Sequence, residues 1–251
     1  DARKQVVKSI QEGGFGPREV AARANGLDTP WGEQDIAAIA KSGAAAVALP
    51  KVEGRAQVEE AHRLLEKYGA PPSMALWCMI ETPLGVLRAE EICTVGKQLG
   101  RLGALIMGTS DLTKELRAVH TPCRHPLAPS LQQVLLAARA HGLVALDGVH
   151  LDIHNAEEFK MHCKQAMEMG YDGKTLIHPN QLAEANLTFS PSPADVELSK
   201  EIIDAHTKAV EEGLNVVVVR GKLVENLHVD NALRILQMDS AIKQLEAASA
   251  A

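Results

Sequence analysis

Short, almost wholly apolar runs alternate with longer amphipathic stretches along most of the chain. The runs lie at 20–23, 45–49, 75–80, 104–107, 143–146 and 175–177. Consecutive apolar positions of this length predict strands buried on both faces, as in parallel sheets. The intervening stretches follow a helical period. In 56–68, Val58, Ala61, Leu64 and Leu65 fall on one face, and 90–99, 131–141, 156–169 and 195–212 read the same way. Strand–helix alternation predicts an α/β fold with a parallel sheet flanked by helices. Six units are visible, whereas a closed barrel of this kind has eight. Either two N-terminal units are absent or the sheet is open and doubly wound.

The pattern changes after about residue 213. Val216–Val219, then Arg220-Gly221-Lys222, then Leu223-Val224 predicts a β-hairpin, and 229–245 a closing helix. This divides the chain into a barrel domain, 1–190, and a C-terminal helix, hairpin and lid helix, 191–251.

At 251 residues the chain is long enough for one large core. No apolar stretch approaches the roughly 20 residues of a membrane span. The N-terminus, Asp1-Ala2-Arg3-Lys4, has no signal-peptide core behind it and no initiator Met, and is read as that of a trimmed chain. A net charge of −6 with 3% aromatics gives no basic, stacking surface for nucleic acid. The four cysteines, Cys78, Cys93, Cys123 and Cys163, lack CxxC spacing and are read as free thiols of a reducing cytoplasm.

The chemistry gathers where the apolar runs end. Arg23, Lys51, Glu81, Asp111, Asp147 and His178 stand at six successive exits, and parallel α/β folds bind ligands at that end of the sheet. Glu81 and Asp111 follow neighbouring strands. One or two carboxylates, completed by substrate oxygens and water, are how proteins hold Mg²⁺. The pair therefore points to a metal-assisted reaction on an anionic, oxygen-rich substrate. Gly108-Thr109-Ser110 forms a turn whose N–H groups are expected to face an anion. Arg23 either grips a substrate carboxylate with its fork of donors or pairs with a neighbouring acid. His120-Thr121-Pro122-Cys123-Arg124-His125 has no second ligand pair and is read as a surface loop. Of His150, Asp152 and His154, the Asp is expected nearest a ligand.

With these residues in view, the chain resembles the citrate lyase beta-subunit-like CoA-ester lyases of the HpcH/HpaI aldolase superfamily. The resemblance rests on ARANGLDT (22–29), LPKVE (49–53), IETPLGV (80–86), MGTSDL (107–112), ALDGVHLDI (145–153), GYDGKTLIHPNQL (170–182), FSPSP (189–193) and GKLVENLHVDNALRIL (221–236). It implies a TIM-like (β/α)8 barrel whose first one or two strands precede Asp1. It implies Mg²⁺ on Glu81 and Asp111, a keto-acid carboxylate on Arg23, and Lys51 near the CoA phosphates or the pocket edge. The expected partners are a CoA thioester and a 2-keto acid, in a homo-oligomer (trimer or hexamer) whose C-terminal appendage lids a neighbour's site. Where related lyases carry an Asp in that lid, this chain has Glu225, expected to serve as acid or base. The implied reaction is reversible Claisen-type cleavage of a malyl-, citramalyl- or citryl-CoA. The alternatives are a CoA-independent, pyruvate-type aldolase and a citrate lyase beta subunit working on a carrier-bound substrate.

Overall fold

The computed structural model describes residues 1–213 and 216–250. It divides into two compact units, Asp1–Asn186 and Leu187–Ala251.

In the first unit the elements run α1 (Ala2–Glu12), β1 (Ala21–Arg23), α2 (Gly32–Ile39), β2 (Ala46–Leu49), α3 (Arg55–Lys67) and β3 (Ala75–Ile80). They continue with α4 (Pro83–Leu87), α5 (Ala89–Gln98), β4 (Leu102–Met107), α6 (Thr109–Glu115), α7 (Ala128–Ala140), β5 (Val144–Asp147), α8 (Ala156–Met169) and β6 (Gly173–Lys174). A 3-10 turn, Pro179–Gln181, leads into α9 (Leu182–Phe189), within which the first unit ends. The six strands form one sheet in sequential order, every neighbour parallel. Val47, Leu49, Leu76, Cys78, Ile80, Leu105 and Met107 are fully or almost fully buried, as expected of strands covered on both faces.

Five strands match their apolar runs within one or two residues. The sixth does not. The run at 175–177 lies beyond β6, and Ile177 is half exposed. The strand is Gly173–Lys174, paired with Leu146 and Asp147. A lysine concealed it, because the Lys174 side chain is wholly buried against Asp147 (Nζ–Oδ2 2.7 Å). Helices α1 and α2 also escaped the apolar pattern. α1 has no buried residue, and α2 buries only Gly32, Ile36 and Ile39.

The second unit contains α10 (Pro193–Glu211), β7 (Val217–Val219), β8 (Lys222–Val224) and α11 (Asn226–Ala250). Ser192 and Asp195 close a reciprocal capping box at the start of α10. The two-residue hairpin loop, Arg220-Gly221, has positive φ at both positions (47° and 77°), the conformation that matches strand twist in tight hairpins. Arg220 is held in this conformation by Glu201 (Nε–Oε2 2.8 Å, Nη2–Oε1 2.7 Å).

Candidate active site

Because β2, β3 and β4 are parallel and in register (Leu49 opposite Cys78, Ile80 opposite Met107), their following residues emerge at one end of the sheet. Two motifs interlock there. The Lys51 N–H donates to Glu81 Oε1 at 2.9 Å, and the Val52 N–H donates to the Met79 carbonyl at 3.2 Å. Gly85 packs so closely on the Val52 carbonyl that a Cβ would lie 2.5 Å from its oxygen. Thr82 caps α4 by accepting from the Gly85 N–H at 3.1 Å, with Pro83 in its first turn, so Glu81 is fixed between a strand end and a capped helix.

Lys51 adopts a left-handed backbone (φ 51°), uncommon for a residue with a side chain and typical of strained functional sites. Gln57 clamps the turn from α3. Its Nε2 donates to the Lys51 carbonyl (2.9 Å), and its Oε1 accepts from the Glu53 N–H (2.6 Å). The Lys51 ammonium lies 3.5 Å from Asp111 Oδ1, both half exposed.

Glu81 is 4% exposed. Burial raises its pKa and the Asp111 carboxylate adds to the rise, while the Lys51 N–H, the Lys51 ammonium and Arg23 oppose it. Asp111 stands in the first turn of α6 rather than at a strand end; Gly108 is the residue that leaves β4. A Cβ at Gly108 would collide with Glu81 Cβ and Oε2, which is why this position carries no side chain. The expectation that Gly108 offers its N–H to an anion does not hold, because that N–H donates to the Ile80 carbonyl at 2.9 Å. Thr109 is buried, and a Cβ at Gly148 would strike its hydroxyl. Ser110 Oγ is buried without a hydrogen-bond partner.

Arg23, the last residue of β1, is exposed. Asp35, the nearby acid, is taken by Arg3 (Nε–Oδ1 2.7 Å) and by Asn25 (Nδ2–Oδ2 2.6 Å). This leaves Arg23 without an ion pair among the described residues. It lines a cleft of about 500 Å³ with Arg3, Asn25, Trp31 and Gln34. The lining of that cleft includes none of Lys51, Glu81 and Asp111, and Arg23 bears on Glu81 as a nearby opposite charge. At the strand ends the donor set is the carboxylates of Glu81 and Asp111, all hard oxygen, and fits Mg²⁺.

Asp147 and His178 do not join it. Asp147 is wholly buried and bound by Arg124 (Nη1 to Oδ1 2.9 Å and to Oδ2 2.7 Å) and by Lys174. Arg124 also donates to Gln165 Oε1 (2.8 Å) and to the His162 carbonyl (3.3 Å). His178 caps the 3-10 turn by accepting from the Asn180 N–H. Asp152 is exposed and turned onto the His154 N–H (3.0 Å), whereas His150 is buried 3.2 Å from His162. Sequence reasoning missed Arg124, Lys174 and Gln57. No local signal marked them, because Lys174 lies within Asp172-Gly173-Lys174-Thr175, and Arg124 between Cys123 and His125. Glu225, in the second unit, is exposed just ahead of α11, and its carbonyl accepts from the His228 N–H at 2.9 Å.

The sequence profile of the HpcH/HpaI aldolase/citrate lyase family matches residues 1–179. The chain belongs to this family. The resemblance read from the motifs is borne out, and with it the α/β barrel class and membership of an enzyme family of aldolases and lyases. The chain is 42% identical over 246 residues to a (3S)-malyl-CoA thioesterase of Cereibacter sphaeroides, covering 98% of this chain and 83% of that protein. It is 32% identical over 240 residues to the citrate lyase subunit beta of Escherichia coli K12, covering 94% and 78%. Among solved structures it resembles the protein CitE from Mycobacterium tuberculosis in complex with magnesium, acetoacetate and coenzyme A. That likeness has a TM-score of 0.74 at 25% identity and covers 94% of this chain and 82% of the other. No helix among the described residues is long and apolar enough to cross a membrane.

Proposed function

We propose that this family member is a Mg²⁺-dependent carbon–carbon lyase. It cleaves a 3-hydroxyacyl-CoA thioester of the malyl-, citramalyl- or citryl-CoA type into acetyl-CoA, or a homologue, and a 2-keto acid. The observation that carries the reading is Glu81. It is a buried carboxylate beside a second carboxylate, in surroundings that oppose its charge. A shared hard cation is the partner that favours ionisation of such a pair. Glu81 and Asp111 would hold magnesium, which as a Lewis acid polarises a bound keto or hydroxyl oxygen.

Arg23 binds the carboxylate of the keto-acid half, for which its unpaired fork is suited. Lys51 sets its ammonium beside Asp111 and meets substrate or CoA oxygens at the pocket edge. Thr109 and Ser110 border the substrate, with Ser110 Oγ as a hydrogen-bonding group, and Gly108 keeps the wall beside Glu81 low. Glu225 is assigned the proton transfer at the acyl carbon, delivered from a neighbouring copy in a trimer or hexamer. The cytoplasm is the assigned compartment. The test is a CoA-ester cleavage assay with Arg23→Lys, Glu81→Gln and Asp111→Asn. The two carboxylate variants lose Mg²⁺-dependent cleavage, and Arg23→Lys raises KM for the keto acid in the condensation direction. Unchanged cleavage in both carboxylate variants refutes the assignment.

A second reading is hydrolysis of the thioester itself, favoured by the 42% identity to a protein of that activity. The products separate the two, because a lyase releases a 2-keto acid whereas a thioesterase releases the free CoA thiol.

A further inference from the structure

Cys123 differs from the other three cysteines. Cys78, Cys93 and Cys163 are buried, and burial pushes their thiols up, Cys93 to about 12 and Cys163 to about 11. Cys123 is exposed on the loop between α6 and α7. Its Sγ lies 3.2 Å from His125 Nδ1, and Thr121 Oγ1 completes the group at 3.9 Å from the sulfur and 3.4 Å from the same nitrogen.

The loop holding this group is anchored at each neighbouring position. The Pro122 carbonyl accepts from His162 Nε2 at 3.0 Å, and the Cys123 carbonyl accepts from Gln165 Nε2 at 2.9 Å. Arg124, in a left-handed backbone (φ 50°), sends its guanidinium inward to Asp147. With the backbone and Arg124 turned toward α8 and β5, the side chains of Cys123 and His125 are left facing solvent together. A thiol beside an imidazole, held in place and exposed, is the arrangement that generates thiolate near neutral pH. The hydrogen bond from His125 draws the Cys123 thiol down to about 7.

We propose that the Cys123–His125 pair is a thiol-modification site that forms mixed disulfides with low-molecular-weight disulfides. The Cys123 thiolate attacks one sulfur of the incoming disulfide. The old S–S bond breaks as the new one forms, and the second sulfur leaves as a thiolate that takes up a proton. The incoming disulfide is the oxidant, so no other reagent is required. A metal site is disfavoured, because this loop supplies one thiol and one imidazole where zinc takes three or four protein ligands.

The test uses the full chain with oxidised glutathione, read by peptide mass mapping, and dithiodipyridine, read as rate against pH. His125→Asn and Cys123→Ser are the comparison variants, with circular dichroism to establish that each is folded. The expected result is a single modified residue, Cys123, with a rate–pH midpoint near 7. His125→Asn moves the midpoint toward the ordinary thiol value of about 8.5 and slows the reaction at pH 6 roughly tenfold. Cys123→Ser removes the labelling. A wild-type midpoint at the ordinary thiol value, a folded His125→Asn variant as fast as wild type at pH 6, or modification spread over the buried cysteines overturns the proposal.

Discussion

Lys51 and Glu81 are joined through the main chain of one and the side chain of the other. The Lys51 N–H donates to Glu81 Oε1 at 2.9 Å, from a backbone at φ 51°. The left-handed turn does two things together. It aims an amide at a buried carboxylate and sets the ammonium 3.5 Å from Asp111 Oδ1. A residue in ordinary strand geometry would not continue the chain in this direction.

Lys51→Gly separates the two roles. Glycine accepts φ near 51° without strain, so stability stays within about 1 kcal/mol of wild type. The amide–carboxylate bond survives and the ammonium is lost. The expected outcome in steady-state kinetics and thermal melts is a raised KM for the CoA ester with little change in Tm.

Gly108→Ala acts on Glu81 directly. The new Cβ would overlap Glu81 Cβ and Oε2, and since rotation cannot move a Cβ, the two backbones must shift apart and carry the Glu81 carboxylate with them. Relief of such a clash costs about 1–3 kcal/mol. Magnesium affinity, measured by calorimetry, falls with it, and a variant that binds magnesium as wild type does would remove the packing account of this position.

The strands and main helices were legible because hydrophobic period reports burial directly. Glu81 and Asp111 were read as neighbours because each follows an apolar run, and the structure does set the two charges close enough to act on one another. Asp147 was misread by the same rule. Its exit position is like theirs, and only Arg124, 23 residues upstream, and Lys174 turn it into a buried structural ion. Sequence spacing carries no record of such long-range pairing. The exposure of Arg23 was hidden for a related reason, since Arg3 on α1, a helix without a strong apolar pattern, occupies Asp35 in its place.

The Asp147 network carries a stability prediction. Asp147→Asn leaves Arg124 and Lys174 as adjacent buried cations, and removing one partner of a buried pair costs about 3–5 kcal/mol. Urea denaturation is expected to show a loss of that order, far larger than for Arg63→Ala, whose pairing with Glu60 is exposed.

Two buried groups set opposite pH dependences. Burial, with Asp111, raises the Glu81 pKa. Between its ordinary value and the raised one the folded state binds more protons than the unfolded state, so stability without magnesium falls as pH rises through that window. Glu81→Gln flattens the fall. Burial, with Arg124, Lys174 and His150, lowers His162 to about 4. Here the unfolded state binds more protons, and stability is lost as pH falls from the ordinary histidine value toward 4. Denaturant midpoints across this range, compared with those of His162→Gln, check the second effect.

The most direct test of the central claim is product analysis with malyl-CoA, run with magnesium and with EDTA, on wild type and Glu81→Gln. The account predicts that wild type with magnesium releases a 2-keto acid and acetyl-CoA in equal amounts, that EDTA abolishes this, and that Glu81→Gln restores nothing when magnesium is added back. Release of the 2-keto acid by Glu81→Gln at the wild-type rate, or release of free CoA thiol without keto acid by the wild type, would contradict it.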